Sequence, residues 1–207
     1  MKKYIDLLLR AFLTGILIAI GGAVFLSCDN RYIGAFLFGT GLFTILTFGL
    51  ALFTGKVGYA VENKPSYLID LVVIWIGNFL GTLFVGTVLR FTRVGAAMSE
   101  KAAGLCETKL NDDLLSIFIL AFFCGMLMFI AADGYKNLTN PVAQMLAIFL
   151  PVMVFIISGF EHCVANMFYF SVAGMWNGSS ALSMLIMTLG NSVGGIFIPL
   201  VRKGFKK

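Results

Sequence analysis

Charge is scarce in this sequence. Aspartate, glutamate, lysine and arginine make up 12% of 207 residues, with a single histidine, whereas 59% of the chain is apolar. Soluble domains carry roughly a quarter charged residues, so this composition excludes a water-soluble globule. Alternating segments of about ten residues, the mark of a membrane β-barrel, are also missing. The four cysteines, Cys28, Cys106, Cys124 and Cys163, have no metal-ligand spacing, so neither a zinc site nor a disulfide framework is indicated. No metal cluster, nucleotide-binding loop or nucleophile motif is present, which weighs against a membrane enzyme and implies no cofactor and no catalytic residue. The net charge of +5 comes from basic residues at the ends of apolar segments and from the tail Arg202-Lys203-Gly204-Phe205-Lys206-Lys207. These read as membrane-flanking charges rather than a nucleic-acid surface.

Long apolar runs are abundant. Stretches of about 18 residues or more can cross the bilayer as helices, and they fall near 5–27, 33–61, 66–90, 112–132, 141–176 and 180–201. The first could be mistaken for a secretion or lipoprotein signal ahead of Cys28. Its length and Phe25 three residues before that cysteine favour a retained first helix. The expected fold is therefore an all-α integral membrane protein with six transmembrane helices, forming one channel domain over 1–207.

The second and fifth runs are interrupted at mid-course, by Gly49-Leu-Ala-Leu-Phe-Thr-Gly-Lys56 and Ser158-Gly-Phe-Glu-His-Cys-Val-Ala-Asn166. The following runs carry matched signatures, Gly77-Asn78-Phe79-Leu80-Gly81 and Gly190-Asn191-Ser192-Val193-Gly194. Gly49 and Gly159 are offset by 110, and Gly77 and Gly190 by 113. Two three-helix halves, about 1–95 and 105–207, thus align. Three spans per half make the halves inverted repeats, and broken helices at matching places point to a site near the bilayer midplane. With the N-terminus inside, Lys2, Lys3, Arg10, Lys64, Lys136, Arg202, Lys203, Lys206 and Lys207 collect on the inner side. Arg31, Arg90, Arg93, Lys101 and Lys109 collect outside, a nine-to-five bias that places both termini in the cytoplasm.

His162 lies in the middle of the fifth run, where an ionisable side chain must face a cavity, a partner or a pathway. The alternative is a histidine that only hydrogen-bonds between helices. Glu161 is expected to cap backbone N–H groups at the break, with a proton relay as the alternative. Asn166 could satisfy backbone groups freed there. Thr54 offers a hydroxyl at the other break, opposite the His162 region. Lys56 must snorkel, reach water or pair with Glu62 or Glu161, or else add positive charge to an anion path. Lys109 sits at an outer entrance, either as an interfacial anchor or as a cation that concentrates small anions.

Gly159-Phe-Glu-His-Cys-Val-Ala-Asn-Met-Phe168 closely resembles the fifth-helix motif of the formate/nitrite transporter family. Leu52-Phe53-Thr54-Gly55 resembles that family's second-helix loop, and the Gly-Asn-x-x-Gly signatures fit as well. The resemblance covers nearly the whole chain. It implies an aquaporin-like fold, a homopentamer with one pore per protomer, and residence in the bilayer of a bacterial cytoplasmic membrane. By position it makes His162 the central pore histidine, Thr54 its partner and Lys109 the vestibule lysine. It places apolar constrictions at Phe38, Leu42, Phe53 and Phe155. The chain departs from the family pattern at Ala51, often acidic, at Lys56, often Asn, and at Gly125, which stands for a fourth-span Asn. The implied partners are small anions of weak acids such as formate, nitrite or hydrosulfide, crossing passively or coupled to a proton that either His162 donates or water donates while His162 hydrogen-bonds the solute. A neutral-solute channel of aquaporin type is the alternative.

Overall fold

The computed structural model of the protein describes residues 2–205. Lys206 and Lys207, counted above among the inner-side charges, lie outside the described residues. Among the described residues nine α-helices follow one another: α1 (Lys2–Ser27), α2 (Arg31–Thr47), α3 (Phe53–Lys56), α4 (Tyr67–Leu89), α5 (Gly95–Leu110), α6 (Leu114–Asn137), α7 (Pro141–Ile157), α8 (Cys163–Ala173) and α9 (Gly178–Phe205). A 3-10 turn, Val57–Glu62, continues α3, and no strand occurs among the described residues. α1, α4, α6 and α9 are long and apolar enough to cross a membrane, while α2, α7 and α8 are shorter apolar helices. The second and fifth expected spans are therefore each split in two.

The splits share one geometry. Two residues past the ends of α2 and α7 stand Gly49 and Gly159, with φ of +62° and +71°, the left-handed conformation that glycine adopts without strain. The Leu50 N–H then bonds back to the Ile45 carbonyl, and the Phe160 N–H to the Phe155 carbonyl, each at 2.9 Å. These are the 6→1 bonds of a Schellman ending. Side-chain caps start α2, α6 and α7, where Asn30, Asp113 and Asn140 each accept two backbone N–H groups.

α1 packs on α4 and α6 on α9 through glycines. A Cβ on Gly81 would lie 2.1 Å from the Phe12 carbonyl oxygen, and one on Gly194 within 1.9 Å of that of Phe122. Only glycine allows backbones that close. Of the short inner helices, α3 packs mainly on α6 and α8 mainly on α4. The outward faces carry exposed Leu9, Leu68, Val72, Leu115, Leu185 and Leu189, while Asn78, Thr82, His162, Asn166 and Asn191 are buried. Apolar outside and polar inside is the distribution expected of a protein in lipid.

α5 was not anticipated. Its sequence is too polar for a span and starts without a side-chain cap. Met98, Ala102 and Cys106 are nevertheless its buried stripe, at a four-residue spacing that was readable as a short amphipathic helix.

Candidate functional site

Restarting a helix in the protein interior leaves backbone donors and acceptors with no helical partner. Two asparagines take them up. The Asn78 carbonyl oxygen accepts the Phe53 N–H at 2.9 Å, and its amide donates to the carbonyls of Ala51 and Ala11, each at 2.9 Å. The Asn191 oxygen accepts the Cys163 N–H at 2.8 Å, and its amide donates to the carbonyls of Glu161 and Ala121, each at 2.7 Å. These are the asparagines of the two Gly-Asn-x-x-Gly signatures, whose role the sequence did not disclose.

That arrangement corrects two expectations. Glu161 does not cap the break; its carboxylate accepts from Lys109 Nζ at 2.8 Å to each oxygen, and from Asn166 Nδ2 at 2.6 Å. Asn166 serves this carboxylate and not freed backbone. His162 is the cap of α8, its Nδ1 accepting the Ala165 N–H at 3.1 Å. A neutral ring whose Nδ1 lone pair is engaged carries its proton on Nε2. His162 Nε2 lies 2.9 Å from Thr54 Oγ1, so histidine donates and threonine accepts. Both side chains are buried, at 2% and 0% exposure, and the pair joins the two broken helices as expected from the sequence.

Cavities approach this pair from opposite ends. One, of about 80 Å³, is lined by Arg31, Lys109, Phe155, His162, Asn166 and Tyr169. The other, of about 530 Å³, is lined by Leu42, Leu52, Gly55, Lys56, Tyr59, Glu62, Tyr67 and Lys136. The termini mark the second end: Lys3 pairs with Asp70 at 2.9 Å, and Lys203 Nζ donates to the Val61 carbonyl. Of the expected constriction residues, Phe155 stacks on the His162 ring with centroids 5.4 Å apart, and Phe38 meets Phe155 edge-on at 5.8 Å. Leu42 lines the larger cavity, joined there by Leu52. Phe53 is buried and lines neither of these two cavities.

The charged residues also differ from expectation. Lys109 is not a free steering cation, because it is clamped to Glu161 with side-chain exposures of 14% and 6%. Lys56 pairs with neither Glu62 nor Glu161; it is exposed in the larger cavity. Glu161 was out of its reach because Lys109 holds that carboxylate on the opposite side of the pair. Gly125 is not a pore position, since a Cβ there would lie 2.2 Å from the Asn191 carbonyl oxygen. Arg31, which sequence reading used only for orientation, donates to the Ile156 carbonyl at 2.8 Å beside the smaller cavity. Its place at the start of an apolar helix was the available signal.

The chain also has known relatives. The sequence profile described as Formate/nitrite transporter matches residues 1–202. The chain belongs to the formate/nitrite transporter family. The transporter YrhG of Bacillus subtilis (strain 168), itself uncharacterized, is 29% identical over 188 residues, 83% of this chain and 70% of that protein. The formate channel FocA of Haemophilus influenzae (strain ATCC 51907 / DSM 11121 / KW20 / Rd) is 26% identical over 204 residues, 80% of this chain and 70% of that one. A solved pentameric formate channel with formate bound superposes with a TM-score of 0.83 at 24% identity, covering 99% of this chain and 98% of the other. This formate/nitrite transporter relative is thus a multi-pass membrane transport protein of channel fold and not an enzyme.

Proposed function

We propose that the protein conducts small monovalent anions of weak acids, such as formate, nitrite or hydrosulfide, together with a proton. The observation that carries this reading is the buried Thr54–His162 pair between two separate cavities. A bare anion crossing that apolar stretch would lose its hydration at a cost of many kcal/mol, whereas its neutral acid would not. The anion gathers in a vestibule, takes a proton from water there, passes Phe38, Phe155, Leu42 and Phe53 as the neutral acid and releases the proton beyond. His162 and Thr54 hold the solute by hydrogen bonds. With Nδ1 engaged as a cap and the Nε2 proton donated to Thr54 Oγ1, the pair offers the solute the Thr54 hydroxyl proton and a share of the Nε2 proton, and the transferred proton comes from vestibule water. Lys109, Glu161 and Asn166 shape one mouth, and Lys56 faces the other.

In the same reading the whole chain is one channel domain that crosses the membrane six times, α2 with α3 and α7 with α8 each completing one crossing. The halves are inverted repeats about a pseudo-two-fold axis in the membrane plane, supported by hydrogen bonds that repeat at offsets of 110 and 113. The assembly is a homopentamer in a bacterial cytoplasmic membrane, with both termini cytoplasmic. The pentamer follows the solved formate channel, and the orientation follows the lysines and arginines around the larger cavity.

The test is stopped-flow flux in proteoliposomes with formate, nitrite, hydrosulfide, lactate and acetate at two pH values. Anion flux that rises steeply as pH falls on the loading side supports the reading. Flux of glycerol or water that is indifferent to pH, with no anion flux, would replace it by the neutral-solute channel.

A further inference from the structure

The 110-residue offset pairs each position around one break with a position around the other. Glu161 corresponds to Ala51, and Asn166 to Lys56. In the half around the smaller cavity, the cation Lys109 therefore meets a built-in counter-ion, a carboxylate seated between an ammonium and an amide. In the other half the carboxylate position is an alanine, and a lysine stands where the amide would be.

Lys56 has no carboxylate within 4 Å among the described residues, and neither has Lys136, which lines the same cavity with its ammonium 4.8 Å over the Tyr59 ring. The nearby Asp133 is already taken, accepting from Arg202 at 2.8 Å, from Asn137 at 2.8 Å and from Tyr59 at 3.3 Å. Glu62 is the one acid among the residues lining this cavity, and it is exposed and unpaired. Behind the lysines the wall is Leu42, Leu46, Leu50 and Leu52, a low-dielectric surface that strengthens attraction to an ammonium beside it. The hydroxyl of Tyr67 donates to the Lys56 carbonyl at 3.1 Å and fixes the backbone that carries the charge.

We infer that Lys56, with Lys136, forms an anion-binding station at the termini end of the pore, where the transported anion supplies the counter-ion that Glu161 supplies to Lys109. The ligand class is a small monovalent carboxylate or its isosteres, matched to the Glu161 carboxylate it replaces. This rests on the anion-transport reading and adds a consequence to it: the two mouths are loaded differently. At the distal mouth Lys109 is already neutralised by Glu161 and Arg31 is held on the Ile156 carbonyl, so that mouth stays unsaturated. The termini-side mouth fills and saturates.

Low-concentration permeability through a passive pore is the same in both directions, so saturation is the informative quantity. Formate flux is measured against concentration in right-side-out and inverted membrane vesicles, and formate binding by line broadening of ¹³C-formate on the purified protein in lipid nanodiscs. Lys56→Gln should raise the half-saturating concentration from the termini side by about tenfold, the scale of one charge-assisted contact. Loading from the distal side should be unaltered, Lys56→Arg should behave as wild type, and Lys136→Gln should give a smaller shift of the same kind. Line broadening should be lost in Lys56→Gln and kept in His162→Asn. Saturation that is unchanged in Lys56→Gln, or shifted equally from both sides, overturns the station. Broadening that depends on Lys56 in a protein without formate flux would keep the station and overturn the transport reading instead.

Discussion

At Phe53 and at Cys163 the chain restarts a helix under the same constraint, and an asparagine from a later helix meets it in the same way, with one N–H accepted and two carbonyls served. What surrounds the two breaks differs. The first has Ala51, Lys56 and, at the N-cap, Leu52, whose side chain makes no bond; the second has Glu161, Asn166 and His162 as the N-cap. His162 corresponds to Leu52 and Thr54 to Val164, so the central pair takes one member from each half and is repeated in neither. The backbone device preserves the architecture. The side chains beside it are free to make a pore whose ends are chemically unlike.

The sharpest way to break this comparison is to remove the shared device. Asn78→Ala and Asn191→Ala each orphan a buried N–H and a buried carbonyl at a break, at about 1–3 kcal/mol per group. Both variants should lose several degrees or more of thermal stability, followed by tryptophan fluorescence and size exclusion in detergent. A large effect at only one site would mean that the breaks are not held alike.

Next comes the charge that only one half contains. Lys109→Ala leaves the Glu161 carboxylate buried without its cation, a loss of about 3–5 kcal/mol. Lys109→Ala with Glu161→Gln should recover most of the stability. Equal melting temperatures for the single and double variants would show that the pair is solvated.

The histidine divides into cap and donor. His162→Asn keeps an oxygen able to accept the Ala165 N–H and should fold normally. It should lower formate flux roughly tenfold for the weakened contact to the solute and retain the rise in flux at lower pH, because the proton comes from water. His162→Phe loses cap and donor together and should be both slower and less stable. A flat pH profile in His162→Asn would make the imidazole the proton donor.

The smallest effect is expected at the termini end, where Arg202 is bound to Asp133 at 2.8 Å with its side chain 55% exposed. Arg202→Gln should cost less than about 1 kcal/mol and leave the flux unchanged.

Much of this was legible beforehand. Apolar length gave the long helices, and the glycines at 49 and 159 marked both breaks because a left-handed ending needs glycine. The Thr54–His162 contact followed from setting the breaks against each other. Glu161, Asn166 and Lys109 were named as site residues, but their roles were misassigned. Sequence spacing places a side chain at a break without saying which of several donors reaches it, and Lys109 arrives from the unforeseen α5. Asn78 and Asn191 were visible as matched signatures, yet their targets, backbone groups of distant segments, leave no trace in side-chain identity.

Those two asparagines also set an order of events during synthesis. The Phe53 N–H and the Ala51 carbonyl have no partner in lipid until residue 78 has left the ribosome, inserted and turned back beside them, and the same holds for the Cys163 N–H, the Glu161 carbonyl and residue 191. The second and fifth segments therefore cannot settle on their own. Each must wait for the helix behind it, so the nascent chain should leave the translocon as two three-helix packets, neither shorter than its asparagine.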